Sequence, residues 1–143
     1  KRCGAGAISM IGTSATVSAT VADCRFESNS NSVDGGAMRL EGSRVRPLIL
    51  DCTFASNTRA SGGKGAGVYA LSSQPTFDGC TFTQNGFGTG LGDGAAMYVD
   101  GATMLVNRTS FLQNNAGAGG GLHLIQWSPR NARNGQPVAA EIT

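Results

Sequence analysis

Apolar and polar positions alternate in short runs along this chain, without a helical period. In Cys24-Arg25-Phe26, Cys52-Thr53-Phe54, Cys80-Thr81-Phe82 and Thr109-Ser110-Phe111 the outer members of each triplet are small or apolar and the middle one is polar. That is the period of a strand with one face buried, so cysteine and phenylalanine point inward. Three residues before these triplets stand Val21, Ile49, Phe77 and Val106, a further apolar column. A second alternating segment begins at Gly6-Ala7-Ile8, Gly36-Ala37-Met38, Ala66-Gly67-Val68, Ala95-Ala96-Met97 and Gly120-Gly121-Leu122. Its inward residues are Ile8, Met38, Val68, Met97 and Leu122, followed two later by Met10, Leu40, Ala70, Val99 and Leu124. Between them Ser9, Arg39, Tyr69, Tyr98 and His123 are expected to face outward. The pattern predicts two or three short strands per repeat, joined by glycine-rich turns.

The repeat is marked by Phe-x-x-Asn, which recurs as Phe26 to Asn29, Phe54 to Asn57, Phe82 to Asn85 and Phe111 to Asn114, in steps of 28, 28 and 29 residues. Equal spacing of one short motif is the signature of a stacked repeat architecture. Short strands without helices, at this period, predict an all-β fold: a right-handed parallel β-helix of about 28 residues per coil, with four to five coils. Coils about 4.8 Å apart place like residues over like, which is why the motif must recur. An inward asparagine passes amide hydrogen bonds to the coils above and below, each contributing about 1 kcal/mol net, and tolerates left-handed backbone at a corner. With 22 glycines and 6% aromatic residues, small stacked layers must replace a core of large side chains. The whole span 1–143 is expected to be one such segment, with coils around the four phenylalanines and a further coil starting in 125–143. It opens without a methionine and stops in a strand-like run, so the expectation is an excised piece of a larger protein, uncapped at both ends.

Phe-x-x-Asn paired with a Gly-Gly-Ala-apolar tetrad resembles the repeat of the polymorphic outer membrane proteins of chlamydiae, and related β-helix repeats of large bacterial and algal surface proteins. Gly35-Gly36-Ala37-Met38 matches the tetrad fully, and Gly94-Ala95-Ala96-Met97 and Gly119-Gly120-Gly121-Leu122 match it loosely. Gly65-Ala66-Gly67-Val68 departs by exchanging the small residues. The resemblance covers Gly4 to about Leu124 and implies a surface-exposed or secreted stalk that serves adhesion or spacing.

Charge adds little to this picture. A formal net charge of +2, with acids and bases interspersed, supplies no polybasic block for nucleic acid, and no apolar run reaches the roughly 20 residues of a membrane span. Cys24, Cys52 and Cys80 form one inward column at 28-residue steps, with Cys3 apart from it. Such spacing suits buried thiols filling a stack, and leaves open a bridge between adjacent rungs, but does not converge on a metal. Asp23 and Asp51 share a position one coil apart, the arrangement of paired carboxylates or calcium ligands, yet Gly79 and Arg108 continue their column. Thr53, Thr81 and Thr83 fall short of the two regular columns of an ice-binding face, because Arg25, Ser110, Glu27, Ala55 and Leu112 interrupt them. The glycine run from Gly88 to Gly94 occurs once and reads as a long turn. Asn107-Arg108-Thr109 is a sequon, which makes Asn107 a candidate glycosylation site.

The preferred ligand patch is the outward file of Arg39, Tyr69, Tyr98 and His123, an aromatic strip able to stack on sugar rings; cross-strand packing of exposed tyrosines is the plainer alternative. No catalytic, cofactor-binding or metal-ligating set is assigned. The expected function is a non-enzymatic structural or adhesive segment of an extracellular or cell-surface protein: a rigid stalk, or part of a filament or coat. Its partners would be other coils or subunits of the same assembly, with a glycan or cell-surface ligand on a lateral face. The alternative is a polysaccharide-active enzyme of the pectate-lyase-like class, or a carbohydrate-binding module. Three or more acidic and basic side chains converging on one outer face would favour the enzyme.

Overall fold

The computed structural model describes residues 7–32, 34–59, 62–87, 92–125 and 140–142. Their strands pair only in parallel, each with its equivalent one coil away, and stack into four sheets. One sheet contains β1 (Ile8–Ile11), β5 (Met38–Glu41), β9 (Val68–Leu71), β13 (Met97–Asp100) and β16 (Leu122–Ile125). A second contains β2 (Thr20–Ala22), β6 (Leu48–Leu50), β10 (Thr76–Asp78), β14 (Met104–Asn107) and β17 (Ala140–Ile142). The third contains β3 (Arg25–Glu27), β7 (Thr53–Ala55), β11 (Thr81–Thr83) and β15 (Ser110–Leu112). The fourth, not anticipated from the alternation, is a narrow ladder just after the asparagine: β4 (Ser30–Asn31), β8 (Thr58–Arg59) and β12 (Gly86–Phe87). Two-residue strands are too short to leave a period in the sequence. The all-β parallel solenoid with about 28 residues per turn is therefore the architecture, and β17 over β14 carries it into a fifth coil.

The register is the one the columns require. Phe26, Phe54, Phe82 and Phe111 are partners in turn, with ring centroids 4.8, 4.5 and 5.2 Å apart and planes within 13° of parallel. Phe77, from the neighbouring sheet, meets Phe54 and Phe82 edge-on at 6.3 and 5.9 Å. Met38, Leu40, Ile49, Phe54, Val68, Phe77, Phe82, Met97, Val99 and Val106 are wholly buried, so the core is a column running down the bore.

Asparagine links the coils with a fixed polarity. In each step the backbone N–H and the amide of one asparagine both donate to Oδ1 of the next: Asn29 to Asn57 (3.1 and 2.9 Å), Asn57 to Asn85 (3.0 and 2.9 Å), Asn85 to Asn114 (3.0 and 2.9 Å). The second amide hydrogen turns back, from Asn57 to the Phe26 carbonyl, from Asn85 to that of Phe54 and from Asn114 to that of Phe82, each at 2.9 Å. The left-handed corner expected at asparagine lies one residue earlier, at Ser28, Ser56, Gln84 and Gln113, with φ between 52° and 54°. That twist aims the next side chain inward, where Asn57 and Asn85 use both amide hydrogens.

The tetrad has an equally specific cause. Its first glycine, Gly35, Gly65, Gly94 or Gly119, has φ between 63° and 80°, a conformation in which a side chain is strained. The two small residues that follow lie against the next coil: a Cβ on Gly36 would sit 2.0 Å from the Ala66 carbonyl oxygen, and one on Gly67 would sit 2.5 Å from that of Ala96. In Gly65-Ala66-Gly67-Val68 the two small residues are exchanged: Ala66 is wholly buried at the position of Gly36, and glycine follows as Gly67, where a Cβ would meet the Ala96 carbonyl.

Candidate functional site

The outward file of the first sheet is in register as expected: Arg39 beside Tyr69, Tyr69 beside Tyr98, Tyr98 beside His123. Tyr69 and Tyr98 stack at 5.7 Å and 17°, and Tyr98 and His123 at 5.2 Å and 15°. The Arg39 guanidinium stands 5.7 Å from the Tyr69 ring centre. What differs is exposure. Tyr69 is 6% and Tyr98 1% accessible, so the pair is not the open strip the alternation suggests. Arg39 and His123 are half-buried.

The cover comes in part from the connectors that precede each tetrad. Lys64 places Nζ 4.7 Å from the centre of the Tyr98 ring. The Tyr98 phenol beside it holds Lys64 above the ordinary lysine range, against the opposing effect of burial. Burial, with Asp34 adding to it, pushes the Tyr69 phenol up. The Lys64 backbone N–H donates to Asp34 Oδ1 at 3.0 Å, and Arg59 pairs with the same oxygen at 3.2 Å. Arg39 is paired with Glu41 at 2.6 Å. Asp100 lies on the same sheet, with Oδ1 buried and without a hydrogen-bond partner. Acids and bases thus do gather on one outer face, mainly in pairs of opposite sign around a stack of rings.

Lys64, Asp34 and Arg59 were not legible as part of this face. One signal was present: Asp34, Lys64 and Asp93 all precede the first tetrad glycine, so their charges alternate down one file. The structure pairs Lys64 with Asp93 in a parallel bridge.

The remaining candidates fall at separate places. Cys24, Cys52 and Cys80 are free thiols in the expected column. Cys52 donates to the carbonyls of Leu50 (3.1 Å) and Val21 (3.5 Å), and Cys80 to those of Ile49 (3.5 Å) and Asp78 (3.6 Å). Burial pushes the Cys52 thiol up and that of Cys80 to about 11. Cys24, in the first coil, is exposed and borders an open cavity of about 450 Å³ with Ile8, Phe26 and Asn29. Cys3 and Gly88 to Leu91 lie outside the described residues.

Asp23 and Asp51 occupy a left-handed corner with Gly79 and Arg108, all at φ between 45° and 68°. Aspartate and glycine suit that conformation, which accounts for the pair without a ligand. Arg108 instead pairs with Asp78 at 2.8 Å and holds that carboxyl below its usual range. Among the described residues no three of His, Cys, Asp and Glu converge to hold a metal ion. Asn107 ends β14 beside Asp78, and the Thr109 hydroxyl of its sequon donates to the Asn107 carbonyl at 2.8 Å. Thr53, Thr81 and Ser110 form a short hydroxyl file on the third sheet, with Ser110 Oγ 3.3 Å from Thr81 Oγ1.

No curated protein and no solved structure matches the chain. A family model described as "Right handed beta helix region" matches residues 2–134, nearly the whole sequence, and the register, the parallel sheets and the repeating coil agree with it. The chain belongs to the right-handed β-helix family.

Proposed function

We propose that this chain is a non-enzymatic structural or adhesive segment of an extracellular or cell-surface protein, acting as a rigid stalk or as a component of a filament or coat. The observation that supports it most is where the motif residues spend their bonding capacity. Each interior asparagine directs both amide hydrogens and its carbonyl to neighbouring coils, each phenylalanine stacks on another, and even the outward tyrosines are buried against rings and connectors. These columns make a stiff rod of constant rise, which is what a spacer requires. The resemblance to surface-protein repeats of the chlamydial type points the same way. A glycan or cell-surface ligand would then sit on a lateral face, and the partners in the assembly would be other coils or subunits.

The test is an assay of the purified chain against a panel of acidic and neutral polysaccharides, scored for new chain ends, alongside binding of chain-coated beads to cells and glycan arrays. The spacer reading expects no new chain ends. Cleavage that disappears in Tyr98→Phe or Lys64→Met would replace it with an enzyme.

A second reading has its own support. Arg39, Lys64, Tyr69, Tyr98 and His123 meet on one outer face, and its two cations have the charge to attract a sugar that carries a carboxylate. Saturable binding of an acidic glycan, lost in Arg39→Ala, would make the segment a carbohydrate-binding module.

A further inference from the structure

Among the described residues the exposed large apolar side chains are Ile11, Leu48, Leu105, Leu112 and Leu124. Ile11, Leu112 and Leu124 lie on the outermost strands of their sheets, β1, β15 and β16. Leu48 and Leu105 do not. β6 runs between β2 and β10, and β14 between β10 and β17, yet these two leucines are 38% and 37% accessible. Both stand in one outward file of the second sheet, on either side of Thr76, which is the register partner of each. Coils are already in place above and below them, so only something lying against the side of the rod can cover them. Leu50, two residues after Leu48, is half-buried on the same face.

Charge is divided across that face. Where the chain enters β6, Arg44 and Arg46 are exposed and make no ion pair among the described residues; Arg44 donates to the Ser14 carbonyl at 2.6 Å. Where the chain leaves β6, Asp51 is exposed and also makes no ion pair. Arg46, Leu48 and Leu50 alternate with the buried Val45, Pro47 and Ile49, so base, leucines and acid follow one another along the outside of a single coil.

We propose that this face is a self-association surface, on which a second copy lies side by side with the first, related to it by a two-fold axis along the rod. Such an axis keeps each rung at its height and reverses the direction of the facing strands. Arg44 and Arg46 of each copy then meet Asp51 of the other, and Leu48 and Leu50 pack between two sheets about 10 Å apart, with Leu105 meeting its own equivalent two rungs away. An antiparallel pair would set the basic edge of one copy against that of the other. It would offer Asp51 only Arg108, which is already bonded to Asp78 at 2.8 Å. The proposal goes beyond the spacer reading and can fail without it, since a single rod still spaces.

Sedimentation equilibrium of the intact 143-residue chain, from about 10 μM to about 1 mM, measures the association. The face is five strands tall, small beside a standard interface, so a weak monomer–dimer equilibrium is expected, and added salt should weaken it further. Leu48→Thr combined with Leu105→Thr uses the residue that Thr20 and Thr76 already place in this file, so the coils are retained, and dimerisation should fall about tenfold or more. Orientation is read by exchanging charge. Arg46→Asp and Asp51→Arg should each abolish dimerisation when alone, and the second is accommodated because Arg108 holds the same column with the same left-handed backbone. An equimolar mixture of the two variants should dimerise about as well as the unaltered chain, because each altered edge then faces the opposite sign. A chain that is monomeric at every concentration, a leucine variant that dimerises as well as its parent, or a mixture no better than its components would each overturn the proposal.

Discussion

Interior and terminal coils carry the same motif, but the motif has different surroundings in each. Phe54 and Phe82 lie between rings on both faces and Asn57 and Asn85 are wholly buried, while Phe111 and Asn114 at one end and Asn29 at the other are only partly covered. The thiols follow suit, with Cys52 and Cys80 buried and Cys24 exposed. In a solenoid, burial is conferred by the neighbours above and below, so a residue's energetic weight is set by its place in the stack and not by its identity. The largest test of this contrast is phenylalanine truncation. Phe54→Ala should lower unfolding free energy by about 3–5 kcal/mol, because rigid coils on both sides keep the cavity open, and Phe111→Ala by about 1–2 kcal/mol, as read from urea melts. Equal losses would mean that the ends are covered as well as the middle.

The asparagine ladder separates the coils in the same direction with a smaller effect. Asn85→Ala strands the Phe54 carbonyl and the Asn57 N–H in a dry interior, a loss of about 2–3 kcal/mol; Asn29→Ala, at the rim, should lose about 1 kcal/mol. Asn85→Asp keeps the acceptor for Asn57 but loses the donors to Phe54 and Asn114 and sets a carboxylate against both oxygens in a dry interior, so it should cost at least as much as Asn85→Ala. Amide exchange at Asn57 should rise in the Asn85→Ala variant well before global unfolding.

How much of this was legible follows from which interactions repeat. Phe26, Phe54, Phe82 and Phe111 and their asparagines sit at near-constant spacing, so their register could be read directly, as could the outward file from Arg39 to His123. The cover over that file could not. Lys64 reaches Tyr98 from a connector, and connectors differ in length and composition from coil to coil, so no column predicts where their side chains land. Alternation reports which face of a strand a residue occupies and says nothing of what lies beyond that face. The left-handed corners were misplaced by one residue for a related reason. Ser28, Ser56, Gln84 and Gln113 share a backbone conformation without sharing a side chain that announces it.

The outward file offers a third, smaller measurement. Tyr98→Phe removes the hydroxyl beside Lys64 while keeping the stacked ring, so it should leave stability nearly unchanged and lower the Lys64 pKa toward its ordinary value. Tyr98→Ala should cost more, because a ring stacked between Tyr69 and His123 is lost. If Tyr98→Ala left both stability and glycan binding unchanged, neither the packing role nor the ligand role of the file would survive.

The thiol column gives the gentlest comparison, because it needs no mutation. Cys80 is raised from 9.0 to about 11 in the folded chain, so the folded state holds its proton more tightly than the unfolded one. Its contribution to stability is then fully present below about pH 9 and is lost as the pH climbs toward 11, where the unfolded thiol ionises and the folded one does not. Cys52 shifts in the same direction and Cys24 is exposed, so the alkylation order at pH 8 should be Cys24 first, with Cys52 and Cys80 following only as fast as the coils open. Peptide mapping after timed iodoacetamide exposure reads that order. Simultaneous labelling of all three under native conditions would mean that the interior coils open as readily as the first, and the distinction between middle and end would fail at its most accessible point.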